Sequence, residues 1–379
     1  MQYRRFPKIP DVPISVLGFG CMRLPVVGGD PGRIDEERAT KLLRDAIDAG
    51  VNYVDTAYPY HNGESEPFVG RALEGGYRER VQVATKCPTF FVKAEADWER
   101  FLDEQLRRLD TDAIDFYLLH GLSTDRWETV MRLGGLRMLD RARRDGRIRH
   151  AGFSFHGSPD NFAEIVEAYD WEYCQIQLNL LDTEYQAGIA GMRLAASRGV
   201  GVIAMEPLRG GTLAARQPRP GEAIWARSNR AWSPAEWALR WVWHHPEVVT
   251  ALSGMNAASQ LSENLAVADA AAAGGLADAE LALAAEVRNH YLAGIEVPCT
   301  TCGYCLPCPS GVAIPDVFSL VNTVAMFDSR AATSAAYKGI WVARGNGADA
   351  CTECGECEPK CPQSIPIRDA LRSAHDLLG

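Results

Sequence analysis

Residues 51–60 read VNYVDTAYPY, a short apolar run that passes directly into aspartate, threonine and two tyrosines. The run has the length and composition of a buried β-strand. Similar apolar runs recur along the first two thirds of the chain, at residues 15–20, 81–86, 114–120, 148–154, 174–179, 201–206 and 248–254. Segments with helical spacing separate them, for example at 36–49, 94–109, 127–144, 158–169 and 234–245. Strands that alternate with helices in this way are expected to pair in parallel.

Eight strand–helix units in about 260 residues predict an α/β fold of the (β/α)8 TIM-barrel type. The alternative is an open doubly wound sheet. No Gly-x-Gly-x-x-Gly motif follows the first strand, and this weighs against the alternative. Residues 2–17 are interpreted as a short hairpin that caps one end of the barrel, and residues 276–294 as one more helix.

Two groups of cysteines near the C-terminus predict a second domain. The spacings are C-x2-C-x2-C-x2-C-P and C-x2-C-x2-C-x3-C-P, which are typical of a protein with two [4Fe–4S] clusters. Zinc sites also use C-x2-C pairs, but three evenly spaced cysteines followed by a Cys-Pro, twice, favour iron–sulfur. The eight cysteines are Cys299, Cys302, Cys305, Cys308, Cys351, Cys354, Cys357 and Cys361.

In two-cluster ferredoxins, the fourth cysteine of each motif ligates the other cluster. The predicted ligands are therefore Cys299, Cys302, Cys305 and Cys361 for one cluster, and Cys351, Cys354, Cys357 and Cys308 for the other. Residues 316–344 between the motifs have helical character. We predict a barrel over residues 1–296 and a mainly helical, dicluster ferredoxin-type domain over residues 297–379.

Net charge and cysteine usage narrow the kinds of binding partner and the cellular compartment that we expect for this protein. The formal net charge of −10 argues against a nucleic-acid partner. No apolar signal segment opens the chain, and no run of about 18 apolar residues exists for a membrane span. Clustered cysteines without an export signal indicate a reducing compartment, so we expect a cytoplasmic protein. The oligomeric state is not determined by the sequence.

Polar residues at the ends of three successive predicted strands predict the chemistry. Barrel enzymes work at the carboxyl ends of their strands. Asp55 and Tyr60 follow the second strand, Lys86 the third and His120 the fourth. Each has an ordinary alternative, such as a helix cap or a solvated rim residue. Together they suit carbonyl reduction: Tyr60 is the acid, Lys86 lowers the pKa of the phenol, Asp55 anchors the ammonium and His120 orients the carbonyl.

Several motifs carry a resemblance to a known family. They are GFGCMRL (18–24), DTAYPY (55–60), ESE (64–66), TKCP (85–88), LLH (118–120) and GFS (152–154). These segments look like the aldo-keto reductase family. With the cysteine-rich tail, the chain resembles the subgroup that carries a C-terminal ferredoxin-type domain. The resemblance implies a (β/α)8 barrel, the tetrad named above, and a nicotinamide cofactor, NADP or NAD, that lies across the barrel mouth.

The resemblance also assigns cofactor-binding positions. Ser154 and Gln175 match the residues that hold the nicotinamide carboxamide, and Met205 stands where the family usually stacks an aromatic ring on the nicotinamide. Near the pyrophosphate the matching residues are Pro207, Leu208, Arg209 and Gly210, and near the adenine they are Glu263 and Asn264. Gln260 stands where many NADPH-specific members have arginine, so the choice between NADP and NAD stays open.

The predicted function is that of an oxidoreductase acting on a small-molecule carbonyl or alcohol. A nicotinamide moves two electrons as a hydride, whereas iron–sulfur clusters move single electrons. The clusters are therefore interpreted in three ways: as electron donors to the substrate, as relays to a partner protein or a bound flavin, or as structural elements. The alternative function is an electron-transfer or redox-sensing subunit whose barrel binds a nucleotide or flavin without carbonyl turnover.

Overall fold

The computed structural model describes residues 1–211, 213–214, 219–327 and 330–379. The chain divides into two compact units, one formed by Met1–Pro207 and Ala235–Ala277, the other by Leu208–Pro234 and Asp278–Gly379. The strands are β1 Tyr3–Phe6, β2 Ile9–Ser15, β3 Leu17–Gly20, β4 Tyr53–Asp55, β5 Gln82–Cys87, β6 Ile114–Leu122, β7 Ile148–Phe155, β8 Tyr173–Gln177, β9 Gly201–Met205 and β10 Val248–Ser253.

The helices of the first unit occupy the connections between barrel strands. They are α1 Glu36–Asp48, α2 Ser65–Ala72, α3 Ala96–Arg108, α4 Thr124–Arg132, α5 Gly135–Arg144, α6 Pro159–Glu167, α7 Gly188–Ser197, α9 Pro234–His244 and α10 Ala258–Asp269. The helices of the second unit are α8 Arg219–Trp225, α11 Asp278–Ala293, α12 Ile314–Phe327, α13 Arg330–Ala336 and α14 Ile367–Leu378. Within the described part of the chain, no helix is both long and apolar enough to cross a membrane.

Strands β3 to β10 form a closed barrel in which each strand pairs in parallel with its neighbours, in the order β10-β3-β4-β5-β6-β7-β8-β9. This confirms the predicted (β/α)8 fold. The antiparallel pair β1–β2 is the predicted hairpin. Its buried Phe6 packs with Tyr53, Phe116 and Tyr173 in the barrel interior, so the hairpin fills one end of the barrel with aromatic side chains.

The segment predicted as one helix over 127–144 is two helices, α4 and α5, with Gly134 between them. Gly134 has a φ of 72°, a left-handed conformation that glycine adopts without a Cβ penalty. The apolar spacing of the sequence runs through this point, because the buried residues of both helices face the same barrel. The break was therefore missed.

The second unit is helical with its own hydrophobic core. Helices α12 and α14 pack together, and the core includes Val312, Val317, Phe318, Tyr337 and Leu371. Helix α8 packs on α11, and two ion pairs join these segments: Arg227 to Glu286 at 2.8 Å and Arg230 to Glu280 at 2.6 Å. The compact unit thus includes residues 208–234 and 278–296, which lie before the predicted boundary at 296/297. That boundary stays a prediction about the extent of each domain.

Candidate active site and cysteine groups

The barrel strands bring the four predicted catalytic residues together. Asp55 is the last residue of β4, Lys86 lies near the end of β5, and His120 lies in β6. Tyr60 opens a short 3-10 turn that follows β4. All four side chains are buried, with exposed fractions between 0% and 8%. Their proximity follows from parallel pairing, because the carboxyl ends of neighbouring strands meet at the same edge of a barrel.

Lys86 is the centre of this group. Its ammonium donates to the two carboxylate oxygens of Asp55 at 2.7 and 2.8 Å and to the carbonyl oxygen of Thr56 at 2.8 Å. The phenolic oxygen of Tyr60 lies 3.4 Å from the same nitrogen. Burial raises the pKa of Asp55, and the charge and hydrogen bonds of Lys86 oppose that shift. The ammonium is therefore fixed in place with its positive charge directed at the phenol.

The imidazole of His120 lies beside the phenol ring of Tyr60. The rings of Tyr60 and His120 meet edge to face, with centroids 6.1 Å apart. Burial lowers the pKa of His120 well below its ordinary value, and electrostatic interactions with Lys86, His156 and Arg126 lower it further. A neutral imidazole keeps one N–H donor, so this residue suits hydrogen bonding to an uncharged oxygen.

A buried carboxylate behind Lys86 had no predicted role. Glu66 accepts from Thr85 and from Gln105, both at 2.6 Å, and is 3.3 Å from the guanidinium of Arg108. Gln105 also donates to the backbone carbonyl of Lys86 at 3.1 Å. Because this network holds the backbone of β5, it positions the ammonium of Lys86. Glu66 belongs to the ESE motif at 64–66, and this was the one sequence signal that pointed to it.

The residues predicted to hold a nicotinamide carboxamide lie side by side. Ser154 and Gln175 are paired neighbours on β7 and β8. Gln175 is 2% exposed, and its amide nitrogen contacts the sulfur of Met205 at 3.5 Å. Its Oε1 atom is buried with no hydrogen-bond partner in the described structure. A buried acceptor without a hydrogen bond is costly in free energy, so Oε1 of Gln175 is suited to accept a hydrogen bond from the N–H of a carboxamide. The residues present therefore suit the nicotinamide end of NAD or NADP.

The remaining predicted cofactor residues lie at two other places. Asn264 on α10 is buried and donates to Ser253 at the end of β10 at 2.9 Å, while Glu263 beside it is exposed. Pro207 is the last residue of the segment Met1–Pro207, which belongs to the first unit. Leu208, Arg209 and Gly210 belong to the second unit and enter a 3-10 turn in which Arg209 is 3% exposed.

His120, which is buried, and His156, which is half-buried, make a testable contribution to stability. Burial lowers the pKa of His156 to about 4 and that of His120 well below its usual value. The unfolded chain takes up these protons below about pH 6.5 and the folded chain does not. We therefore expect the free energy of unfolding to fall as pH drops below about 6.5, by up to about 1.4 kcal/mol per pH unit for each histidine. Urea denaturation across a pH series measures this.

The variant His156→Gln is the comparison for that series. It removes one titrating group, so its stability should depend less steeply on pH than that of the wild type. An unchanged slope would contradict the assignment of His156 as a histidine that stays neutral in the folded protein.

Four of the C-terminal cysteines line a single cavity in the second unit. These are Cys299, Cys302, Cys305 and Cys361, the set predicted for one cluster. Apolar side chains such as Ile314, Phe318 and Ile365 complete the lining. In the other predicted set, burial is the main cause that raises the pKa of Cys357. Cys351 and Cys308 lie close enough to raise that pKa further through electrostatic repulsion. The donors of both groups are thiols, which suit iron–sulfur clusters.

The two cysteine motifs also repeat each other in backbone geometry. Thr301 and Glu353, each two residues after the first cysteine of a motif, have φ values of 55° and 57°. Each donates its amide N–H to the sulfur of that cysteine at 3.4 Å. The amide groups thus point at the sulfurs and stabilise negative charge there, as ligation of iron requires.

Matching turns follow the Cys-Pro steps. Gly311 donates to the carbonyl of Cys308 at 2.9 Å, and Ser364 donates to the carbonyl of Cys361 at 3.2 Å. Both residues have a left-handed backbone, with φ values of 76° and 51°. The backbone turns that follow Cys308 and Cys361 therefore repeat each other as well.

Comparisons with known proteins agree with a barrel followed by a cysteine-rich C-terminal part. Residues 16–273 match the model of the aldo/keto reductase family, and residues 298–365 match that of a 4Fe-4S dicluster domain. An NADH-specific methylglyoxal reductase of Escherichia coli strain K12 is 26% identical over 331 residues, which span 74% of this chain and 98% of that protein.

Solved structures show the same barrel. The holo form of an aldo-keto reductase from Bacillus halodurans is 26% identical, with a TM-score of 0.63 over 76% of this chain and 96% of that one. An aldo/keto reductase from Klebsiella pneumoniae, solved in complex with NADP and acetate, is 24% identical with a TM-score of 0.62 over 76% of this chain and 95% of that one. At 24% identity, the similarity to the Klebsiella pneumoniae structure shows only that the two chains share a fold.

Proposed function

Because the chain belongs to the aldo/keto reductase family and carries a C-terminal 4Fe-4S dicluster domain, we propose that it reduces a small-molecule carbonyl, or oxidises the corresponding alcohol, with NADH or NADPH. The observation that carries this proposal is the buried Asp55–Lys86–Tyr60 chain beside a neutral His120. A purely structural role does not call for a buried ammonium held beside a phenol.

A reduced nicotinamide, when bound, supplies the hydride for the carbonyl carbon. Tyr60 gives its phenolic proton to the carbonyl oxygen, so that an alcohol forms rather than an alkoxide. The Lys86 ammonium, 3.4 Å away, stabilises the phenolate that remains. Asp55 keeps the ammonium in place, and His120 donates its one N–H to the carbonyl oxygen and orients it.

The same proposal assigns the cofactor positions. Ser154, Gln175 and Met205 hold the nicotinamide, with the unmet Oε1 of Gln175 accepting from the carboxamide. Pro207, Leu208, Arg209 and Gly210 lie along the pyrophosphate, and Glu263 and Asn264 meet the adenine. The named Escherichia coli relative is NADH-specific. Gln260 brings no positive charge for a 2′-phosphate, so both nucleotides belong in the assay.

The two cysteine groups are proposed to hold [4Fe–4S] clusters with the exchanged ligand sets given above. Such clusters supply single-electron transfer. This favours a second candidate function, an electron-transfer or redox-sensing subunit with a partner protein or a flavin. The cavity shared by Cys299, Cys302, Cys305 and Cys361 supports both candidates.

An anaerobic assay separates the two functions. Protein purified without oxygen is mixed with NADH or NADPH and a panel of aldehydes and ketones that includes methylglyoxal. We expect nucleotide oxidation that depends on the carbonyl, with one alcohol formed per nucleotide. Bleaching of the cluster absorbance by the nucleotide without alcohol formation would overturn the reductase assignment and favour the electron carrier.

A further inference from the structure

Gly210 lies directly against the loop that joins two predicted cluster ligands, Cys299 and Cys302. A Cβ atom at Gly210 would stand 2.2 Å from the side-chain oxygen of Thr301 and 2.4 Å from the carbonyl oxygen of Thr300. Real Cβ atoms do not come this close to backbone oxygen. The φ of Gly210 is 67°, so glycine is required here both for backbone conformation and for space. The two backbone segments therefore pack without an intervening side chain.

The surface under Gly210 is built from the neighbours of one cysteine group. Thr300 follows Cys299 and is fully buried. Its hydroxyl accepts from the side chain of Gln363 at 3.3 Å, and Gln363 stands two residues after Cys361. A cluster bound to this group would tie Cys299 and Cys361 together, and with them the two ends of this hydrogen bond. The position of the Thr300 carbonyl thus depends on ligation at this group.

Residues that follow Gly210 in the sequence also make contacts within the second unit. Leu213 is buried and its amide donates to the carbonyl of Leu208 at 3.1 Å. Farther along, Arg227 and Arg230 pair with acidic residues of α11. Residues 208–210 are therefore held by contacts within the second unit.

We propose that Thr300, Thr301 and Gly210 are positioning residues through which the first cysteine group, when loaded, sets the affinity of the enzyme for its nicotinamide nucleotide. The proposal rests on the proposed function, in which residues 207–210 lie along the pyrophosphate. Loss of that cluster frees the Cys299–Cys302 loop, so residues 208–210 lose the packing contact that fixes their position. Nucleotide affinity falls, while the proton transfer at Tyr60 is untouched.

The matched variants Gly210→Ala and Gly211→Ala test this. Both glycines have positive φ, 67° and 96°, but a Cβ at Gly211 has nothing within 4 Å. Overpacking costs on the order of 1–3 kcal/mol, which is roughly a 5- to 150-fold change in a binding constant. We expect the Kd and KM for NADH or NADPH to rise about 10-fold or more in Gly210→Ala, with kcat changed less than about 2-fold. Gly211→Ala should stay much closer to the wild type.

Hydrogen exchange on the anaerobic full-length protein supplies a readout that does not depend on activity. We expect Cys302→Ser, which removes a ligand of the first group, to speed exchange of residues 208–211 more than Cys354→Ser, which removes the equivalent ligand of the other group. Equal exchange in the two variants, or equal Kd values for the two alanine variants, would overturn the coupling. Absence of any nucleotide binding in the wild type would instead overturn the proposed function.

Discussion

Tyr60→Phe is expected to lower kcat for carbonyl reduction by about 100- to 10,000-fold, the range that a lost general acid accounts for. The change removes one oxygen, and the ring still packs against His120, so the pocket keeps its shape. The Kd of NADH or NADPH should stay within about 2-fold of the wild type, because the hydroxyl is proposed to act on the substrate and not on the nucleotide. Stopped-flow reduction and equilibrium nucleotide titration measure the two quantities separately.

Tyr58→Phe is the matched control, since the same short motif carries both tyrosines. The hydroxyl of Tyr58 donates to Glu104 at 3.1 to 3.2 Å, and its ring lies against Arg108, outside the proposed catalytic group. We expect its kcat to stay within about 2-fold of the wild type. Full turnover in Tyr60→Phe, or an equal loss in both variants, would sink the assignment of Tyr60 as the acid.

The barrel could be predicted from the sequence because its signal is local and repeated. Each strand is a short apolar run with polar residues at its end, and all eight runs are barrel strands in the structure. Parallel pairing then brings Asp55, Lys86 and His120 to one edge without further information. The family match over residues 16–273 agrees with this order of elements.

Contacts between segments that are distant in the sequence could not be predicted. Gln105 reaches the backbone of Lys86 from α3, and Gly210 meets Thr300 across a long stretch of chain. No spacing or composition marks such pairs, because the contacts arise only after the elements pack. The break at Gly134 was missed for a different reason: a glycine is tolerated inside helices as well as between them, so its residue type alone does not end a helix.

Lys86→Met is expected to lower the free energy of unfolding by about 3–5 kcal/mol and to abolish turnover. Removal of one partner of a buried ion pair leaves the other charge without compensation. Asp55 is 3% exposed and accepts two hydrogen bonds from the lost ammonium, so its carboxylate has no substitute of equal strength. Methionine keeps most of the volume of the lysine stem, so the loss reports charge more than packing. Urea denaturation measures it.

The pH dependence of that loss identifies its cause. Burial raises the pKa of Asp55, and Lys86 is the group that opposes the shift. Without Lys86, the folded protein holds a proton on Asp55 that the unfolded chain has released above about pH 4. Because a raised folded pKa gives stability that is lost as pH rises, Lys86→Met should be less destabilised at pH 5 than at pH 8.

The double variant Asp55→Asn with Lys86→Met separates stability from catalysis. It removes both charges, so most of the stability lost in Lys86→Met should return and the extra pH dependence should disappear. Turnover should not return, because no ammonium then stabilises the Tyr60 phenolate. A double variant as unstable as Lys86→Met would show that the stem and its packing matter more than the charge. Recovery of turnover would remove Lys86 from the proposed proton transfer.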